Sequence, residues 1–146
     1  MRLAELDRAN IDGAVKLSLK PGQERFVAPV ATSIAEAYVT ATAWPRVALD
    51  GDQVVGFVMG NFDPDEEVEE FRCGIWRLNV SAQAQRSGVG RFLVQAVADE
   101  ARRRGQSRLT VLWERGDGGP EQFYLHLGFI PTGAELFGEV VGALQL

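Results

Sequence analysis

Between an apolar run and a helical pattern lies QRSGVGR, Gln85 to Arg91, with Gly88, Gly90, Arg86 and Arg91 and no acidic side chain. Those residue types at that spacing suit an anion. The first backbone N–H groups of a helix have no intrahelical partner. The macrodipole adds partial positive charge there, worth about 0.3–1 kcal/mol to an anion at an exposed site. Gly88 and Gly90 leave no Cβ in the path of a phosphate, and the two guanidinium groups add charge. The stretch therefore has the chemistry of a pyrophosphate cradle, although two glycines and a serine before a helix also serve as a plain loop and cap. A P-loop is set aside because no Gly-Lys-Ser/Thr follows. A dinucleotide fingerprint is set aside because only the later glycines match and the strand ends well before them.

The elements around this turn follow from periodicity. The first forty residues read as mostly helical: Asn10 is placed to cap a helix from Ile11 to about Leu19, broken by LKPGQ. Ser33, with Glu36 three residues on, has the spacing of a capping box for a second helix that ends near Trp44-Pro45. Arg46 to Asp50 and QVVGFVMGNF read as a hairpin joined through Gly51. DPDEEVEEF reads as an acidic loop, and IWRLNV, Ile75 to Val80, as a third strand.

From Gly88 the pattern turns helical, with Val89, Phe92, Leu93, Ala96 and Val97 on one stripe and Gly105 as terminator. RLTVLW is a strand. Pro120 is placed as the first residue of a short helix, PEQFYLHL, which Gly128 ends. FIPTG and EVVGALQL close the chain as strands. The order predicts a mixed α/β (α+β) fold with about four helices. Its early strands are antiparallel, and a parallel, right-handed strand–helix–strand unit runs from Ile75 to Trp113.

Composition narrows the class. The 146 residues suit one domain, with 46% hydrophobic and 24% charged residues. No run approaches a membrane span, and MRLAELDRAN has no apolar core of the signal-peptide kind. Cys73 is the only cysteine, so no internal disulfide forms; no metal site is expected, and a reducing cytoplasm is. The net charge of −5 disfavours nucleic acid and suits a cationic small substrate.

The pattern Gln-x-x-Gly-x-Gly, met by Gln85, Gly88 and Gly90 between a strand and a long helix, resembles the coenzyme A motif of the GNAT N-acetyltransferase superfamily. FYLHLGF, Phe123 to Phe129, is similar to that superfamily's late helix motif, at the expected separation. FVAPVATSIAEAYV, VVGFVMGNFDP, IWRLNV and LGFIPTGAELFGEVV resemble the branch described as spermine/spermidine or diamine acetyltransferases.

The resemblance implies a GNAT fold with a central, mostly antiparallel twisted sheet. It implies acetyl transfer from acetyl-CoA to a primary amine of a small molecule, by direct attack in a ternary complex, with a polyamine as the narrower expectation. The alternatives are an amino acid, antibiotic or protein N-terminus as acceptor, or a non-catalytic CoA-binding module. Homodimers are common in relatives; a nucleic-acid or membrane partner is not expected.

By the same resemblance, the backbone of Leu78 faces the acetyl group, Val80 pairs with pantetheine, and the amides of Arg86, Ser87, Gly88, Val89, Gly90 and Arg91 hold the pyrophosphate. Tyr124 is the general acid. Asp117 stands where relatives often carry a coenzyme-binding Asn. Glu36, Trp76 and Glu139 are candidate acceptor contacts, while Trp44 and Trp113 are expected in the core. The base is open among Glu69, Glu70, Glu114 and a water chain. His126, two residues from Tyr124, does not share its helix face and is expected to be solvated or capping.

Overall fold

The computed structural model describes residues 1–146. Seven strands form one sheet in the order β1-β2-β3-β4-β5-β7-β6. They are β1 (Arg2–Ala4), β2 (Ala43–Asp50), β3 (Gln53–Phe62), β4 (Cys73–Val80), β5 (Arg108–Trp113), β6 (Ile130–Leu136) and β7 (Glu139–Gln145). The helices are α1 (Ile11–Val15), α2 (Val30–Tyr38), α3 (Val89–Arg103) and α4 (Glu121–His126). All neighbouring strands are antiparallel except β4 and β5, as the sequence order implies.

Alternation along β2 and β3 divides the core between two faces. Val47, Leu49, Val54, Phe57 and Met59 pack with α1 and α2. Ala48, Val55 and Val58 join Val89, Leu93, Val97 and Ala101 of α3 on the other. The expected α3 stripe is displaced slightly: Phe92 and Ala96 are only half-buried, while Val94, Ala98 and Ala101 are buried.

The N-terminal region departs most from expectation. Arg2–Ala4 is a strand on the edge of β2, too short for periodicity to reveal. The first helix stops at Val15, not near Leu19. Asn10 precedes it without capping it: its side chain accepts from the Asp7 N–H and donates to the Glu5 carbonyl, so it braces the loop after β1. The second helix starts after Pro29, which puts Ser33 inside it, fully buried, and removes the capping box.

The β2 strand begins at Ala43 and contains Pro45, which pairs with Met59 of β3. It is tolerated because β1 reaches only Val47 to Leu49, so β2 has an open edge at Pro45.

One irregularity shapes the middle of the sheet. The β3–β4 register passes from Met59↔Arg77 to Gly60↔Ile75, leaving Trp76 as an extra residue on β4. Such a bulge bends its strand. Only Gly74 and Ile75 pair with β5, at Thr110 and Val111. From Trp76 to Val80, β4 has β3 on one side and no strand on the other.

Candidate active site

A cavity of about 690 Å³ fills that opening. Leu78, Val80, Gln85, Arg86, Gly88, Gly90, Arg91 and Tyr124 line it, so most of the expected site converges. At the cradle, Gly88 at φ 89 turns the chain into α3, and Arg86 takes φ 67 just before it. The first helical bond is the Phe92 N–H to the Gly88 carbonyl. The N–H groups of Arg86, Gly88, Val89, Gly90 and Arg91 find no acceptor in the protein. A set of free donors with two arginines and no acid on the cavity wall nearby fits a diphosphate.

Two expected contacts, Ser87 and Asp117, take other positions. Ser87 lies off the cavity with its hydroxyl donating to the Ala84 carbonyl. The Val89 side chain is buried in the core, which leaves only its backbone for a ligand. Asp117 is exposed and outside the cavity lining, unlike Gly118, Gly119 and Pro120 beside it.

Gln85 turns out to be a brace. Its Nε2 donates to the Val80 carbonyl at 3.2 Å and to Gln23 Oε1 at 2.7 Å, and Gln23 Nε2 donates back at 3.1 Å. Gln23 opens a 3₁₀ turn, Gln23–Phe26, that crosses the cavity. Phe26 at its other end packs on the Gly-rich turn, where a Cβ on Gly119 would stand 2.9 Å from the ring. That accounts for Gly119, whereas Gly116 is crowded by the Arg25 guanidinium and Gly118 sits in open space at φ 78. Nothing in the local sequence announces Gln23 or Phe26 as site residues.

Tyr124 sits on α4, 5% exposed, stacked on Trp113 at 5.7 Å and edge-on to Phe123 and Phe129. Its hydroxyl has no partner in the protein and is not sealed from the cavity. Burial pushes the phenol's pKa above its ordinary value, so it stays protonated.

The Leu-Gly-Phe sequence holds the ring in place. The Phe129 N–H bonds back to the Tyr124 carbonyl and the Gly128 N–H to the Leu125 carbonyl, with Gly128 at φ 101. This is the Schellman ending, in which the residue two beyond the cap packs on the third-last helical residue. Here that pair is Phe129 on Tyr124. Pro120 stands one residue before the helix. His126 is exposed, with Nδ1 2.6 Å from the Gln122 carbonyl, and borders the cavity.

A second cavity, about 370 Å³, meets the first where β4 and β5 part, sharing Ile75, Trp76, Arg77, Val111 and Leu112. The expected acceptor residues Glu36, Trp76 and Glu139 all line it, together with Glu70. Both Glu36 oxygens accept from Arg77, at 3.2 and 3.1 Å, so this carboxylate is already engaged. Burial, then Glu114, raises the Glu139 pKa, against a smaller opposing effect of Arg77.

Among the candidate bases, Glu70 reaches this cavity. Glu69 lies 3.8 Å from Arg108 in a surface pair, and Glu114 is outside both linings. Trp44 and Trp113 are buried as expected. Arg77, Phe71 and Phe137 line the second cavity although the sequence did not single them out; a lone arginine inside the apolar IWRLNV was the available signal.

A splayed parallel strand pair thus opens onto a cradle of amides at the next helix and a buried tyrosine on the following one. The chain belongs to the acetyltransferase (GNAT) family, whose model matches residues 20–129. It is 30% identical over 112 residues to N-acetyltransferase 8F1 of Rattus norvegicus, covering 75% of this chain and 51% of that protein. The chain thus spans about half the length of the curated relative it matches.

Its fold is that of an aminoglycoside 6'-N-acetyltransferase complexed with coenzyme A (TM-score 0.73, 18% identity, 99% and 97% of the two chains covered). The ribosomal-protein-S18-alanine N-acetyltransferase from Escherichia coli shares it as well (TM-score 0.70, 18% identity, 99% and 92% covered). No helix is long and apolar enough to cross a membrane, and no group of three or more His, Cys, Asp or Glu side chains is placed to hold a metal ion.

Proposed function

We propose that the chain is an acetyl-CoA-dependent N-acetyltransferase that modifies a primary amine of a small molecule by direct attack, with polyamines among its acceptors. The observation that carries this reading is the unpaired length of β4, which runs from a cradle of free amides to an acidic cavity. Acetyl-CoA, when bound, supplies an activated acetyl thioester and a diphosphate. The amides of Arg86, Gly88, Val89, Gly90 and Arg91, with the Arg86 and Arg91 side chains, would hold the diphosphate, while the Ser87 N–H is taken by the Ala84 carbonyl; the exposed edge of β4 at Leu78 and Val80 would align the acyl arm.

The remaining steps belong to this chain's side chains. An alkylamine has a pKa near 10 and must lose a proton before it attacks. Glu139, whose raised pKa makes it a stronger base than an ordinary carboxylate, receives that proton directly or through water. The Tyr124 hydroxyl donates to the departing sulfur. A buried phenol is a weak acid in water's terms, but the same dry surroundings raise the proton affinity of the sulfur. Glu36, Glu70 and Glu139 outnumber Arg77 in the acceptor cavity, which favours a cation there.

The test is release of free CoA thiol against a panel of amines: spermidine, an aminoglycoside, an amino acid and a peptide with a free N-terminus. Thiol release with small amines supports the reading, and turnover of spermidine supports its narrower form. Calorimetric binding of acetyl-CoA without turnover of any amine would leave a binding module instead.

A further inference from the structure

The β6–β7 turn carries a side chain that fits poorly as a turn residue. Leu136 pairs with Glu139, so the loop is the two residues Phe137 and Gly138, at φ 54 and 75. Both positive angles mark a type I′ turn, which favours Asn, Asp or Gly at its first position. A bulky aromatic there is strained. Phe137 is also 85% exposed, so it stabilises no core.

Its ring nonetheless has a defined place. It lies parallel to Phe71, 6.0 Å between centroids and 3° between planes, and both rings line the second cavity near Trp76, Glu70 and Glu139. The cavity therefore has an aromatic wall beside carboxylates.

We propose that Phe137, with Phe71, is a specificity-determining wall that takes a flat apolar group carried a few bonds from the acceptor's amine, so that arylalkylamines are preferred to amines with short aliphatic or purely polar tails. This rests on the acceptor entering through the second cavity. The ring of such an amine extends the Phe71–Phe137 stack while its ammonium end faces Glu70 and Glu139. Exposed aromatic surface is covered only when the acceptor is bound, which accounts for a residue that costs the free protein stability.

Calorimetric titration of phenethylamine, propylamine and spermidine into wild type and Phe137→Asn tests this without requiring turnover. Asn at the first turn position relieves strain, so the variant should melt no lower than wild type. Wild type should bind phenethylamine roughly tenfold more tightly than propylamine, the scale of one aromatic contact, and the variant should lose that preference. Phe137→Tyr should keep it. Equal binding of phenethylamine and propylamine by wild type, tighter binding of spermidine than of phenethylamine, or a preference that survives in Phe137→Asn would overturn the proposal. Absence of CoA thiol release with the binding preference intact would instead count against acetyl transfer and leave the aromatic wall standing.

Discussion

Replacing Tyr124 by Phe removes one oxygen from the centre of the proposed chemistry, and the structure separates its two consequences. The ring is buried against Trp113, Phe123 and Phe129, and every one of those contacts survives in phenylalanine. The hydroxyl makes no hydrogen bond within the protein, so its loss leaves no partner stranded. Stability should change by less than about 1 kcal/mol, with any change in favour of Phe. Positioned proton donation contributes about 10²–10⁴-fold to a rate, which is roughly 2.7–5.4 kcal/mol of barrier. The expected result is kcat for CoA thiol release lowered by that factor at an unchanged melting temperature and an unchanged KM for acetyl-CoA. Burial keeps the phenol protonated over the neutral range, so wild type and variant should share one pH profile, differing in height only. A variant with wild-type kcat would remove Tyr124 from the reaction, and a drop in kcat matched by a lower melting temperature would show that the ring had moved.

Three further perturbations isolate other parts of the structure. A Cβ at Gly90 would stand 2.9 Å from the Phe123 ring; Gly90→Ala should cost about 1–3 kcal/mol by overpacking and raise KM for acetyl-CoA, both read from one preparation by melting and steady-state kinetics. The folded-state pKa of Glu139 is raised, so the folded protein holds this proton more readily than the unfolded chain, and stability falls as pH rises from the ordinary carboxylate range through the raised value. Glu139→Gln should therefore melt higher than wild type near neutrality and equally below about pH 4, while kcat/KM for the amine falls and loses its acidic limb. Ser33 is fully buried with an unpartnered hydroxyl; Ser33→Ala should stabilise by about 1 kcal/mol, whereas a capping serine would lose about that much.

The parts of the fold written in long periods were legible in the sequence. α3 announces itself over fifteen residues, and the β2–β3 hairpin through Gly51 is fixed by its turn. The first forty residues were less so, because their elements are short and their polar residues serve more than one purpose. Asn10 and Ser33 are both frequent caps; one braces a loop instead and the other is buried in mid-helix. At the site, the cradle and Tyr124 lie in local motifs, whereas the second cavity is assembled from α2, β4, β5, β7 and two loops. Contacts that join residues far apart in sequence, such as Gln23 with Gln85 or Phe71 with Phe137, leave no local pattern to detect.

Gly90 shows how such distant contacts tie the two motifs together. Its lack of a side chain was read as room for a phosphate, yet the atoms that would block a Cβ belong to Phe123, the residue before Tyr124. The helix that presents the amides and the helix that presents the hydroxyl therefore touch at one glycine. The Schellman ending at Gly128 then fixes Phe129 on the other side of the tyrosine ring. Gln85 adds a third link, from the end of β4 to the 3₁₀ turn across the cavity. Positioning to within about 1 Å decides orders of magnitude in rate, and these links make the distance from cradle to hydroxyl a property of packing rather than of either motif alone. Substitution at Gly90 should accordingly disturb kcat as well as coenzyme affinity, whereas loss of the Arg91 side chain, which is exposed on α3, should disturb affinity only.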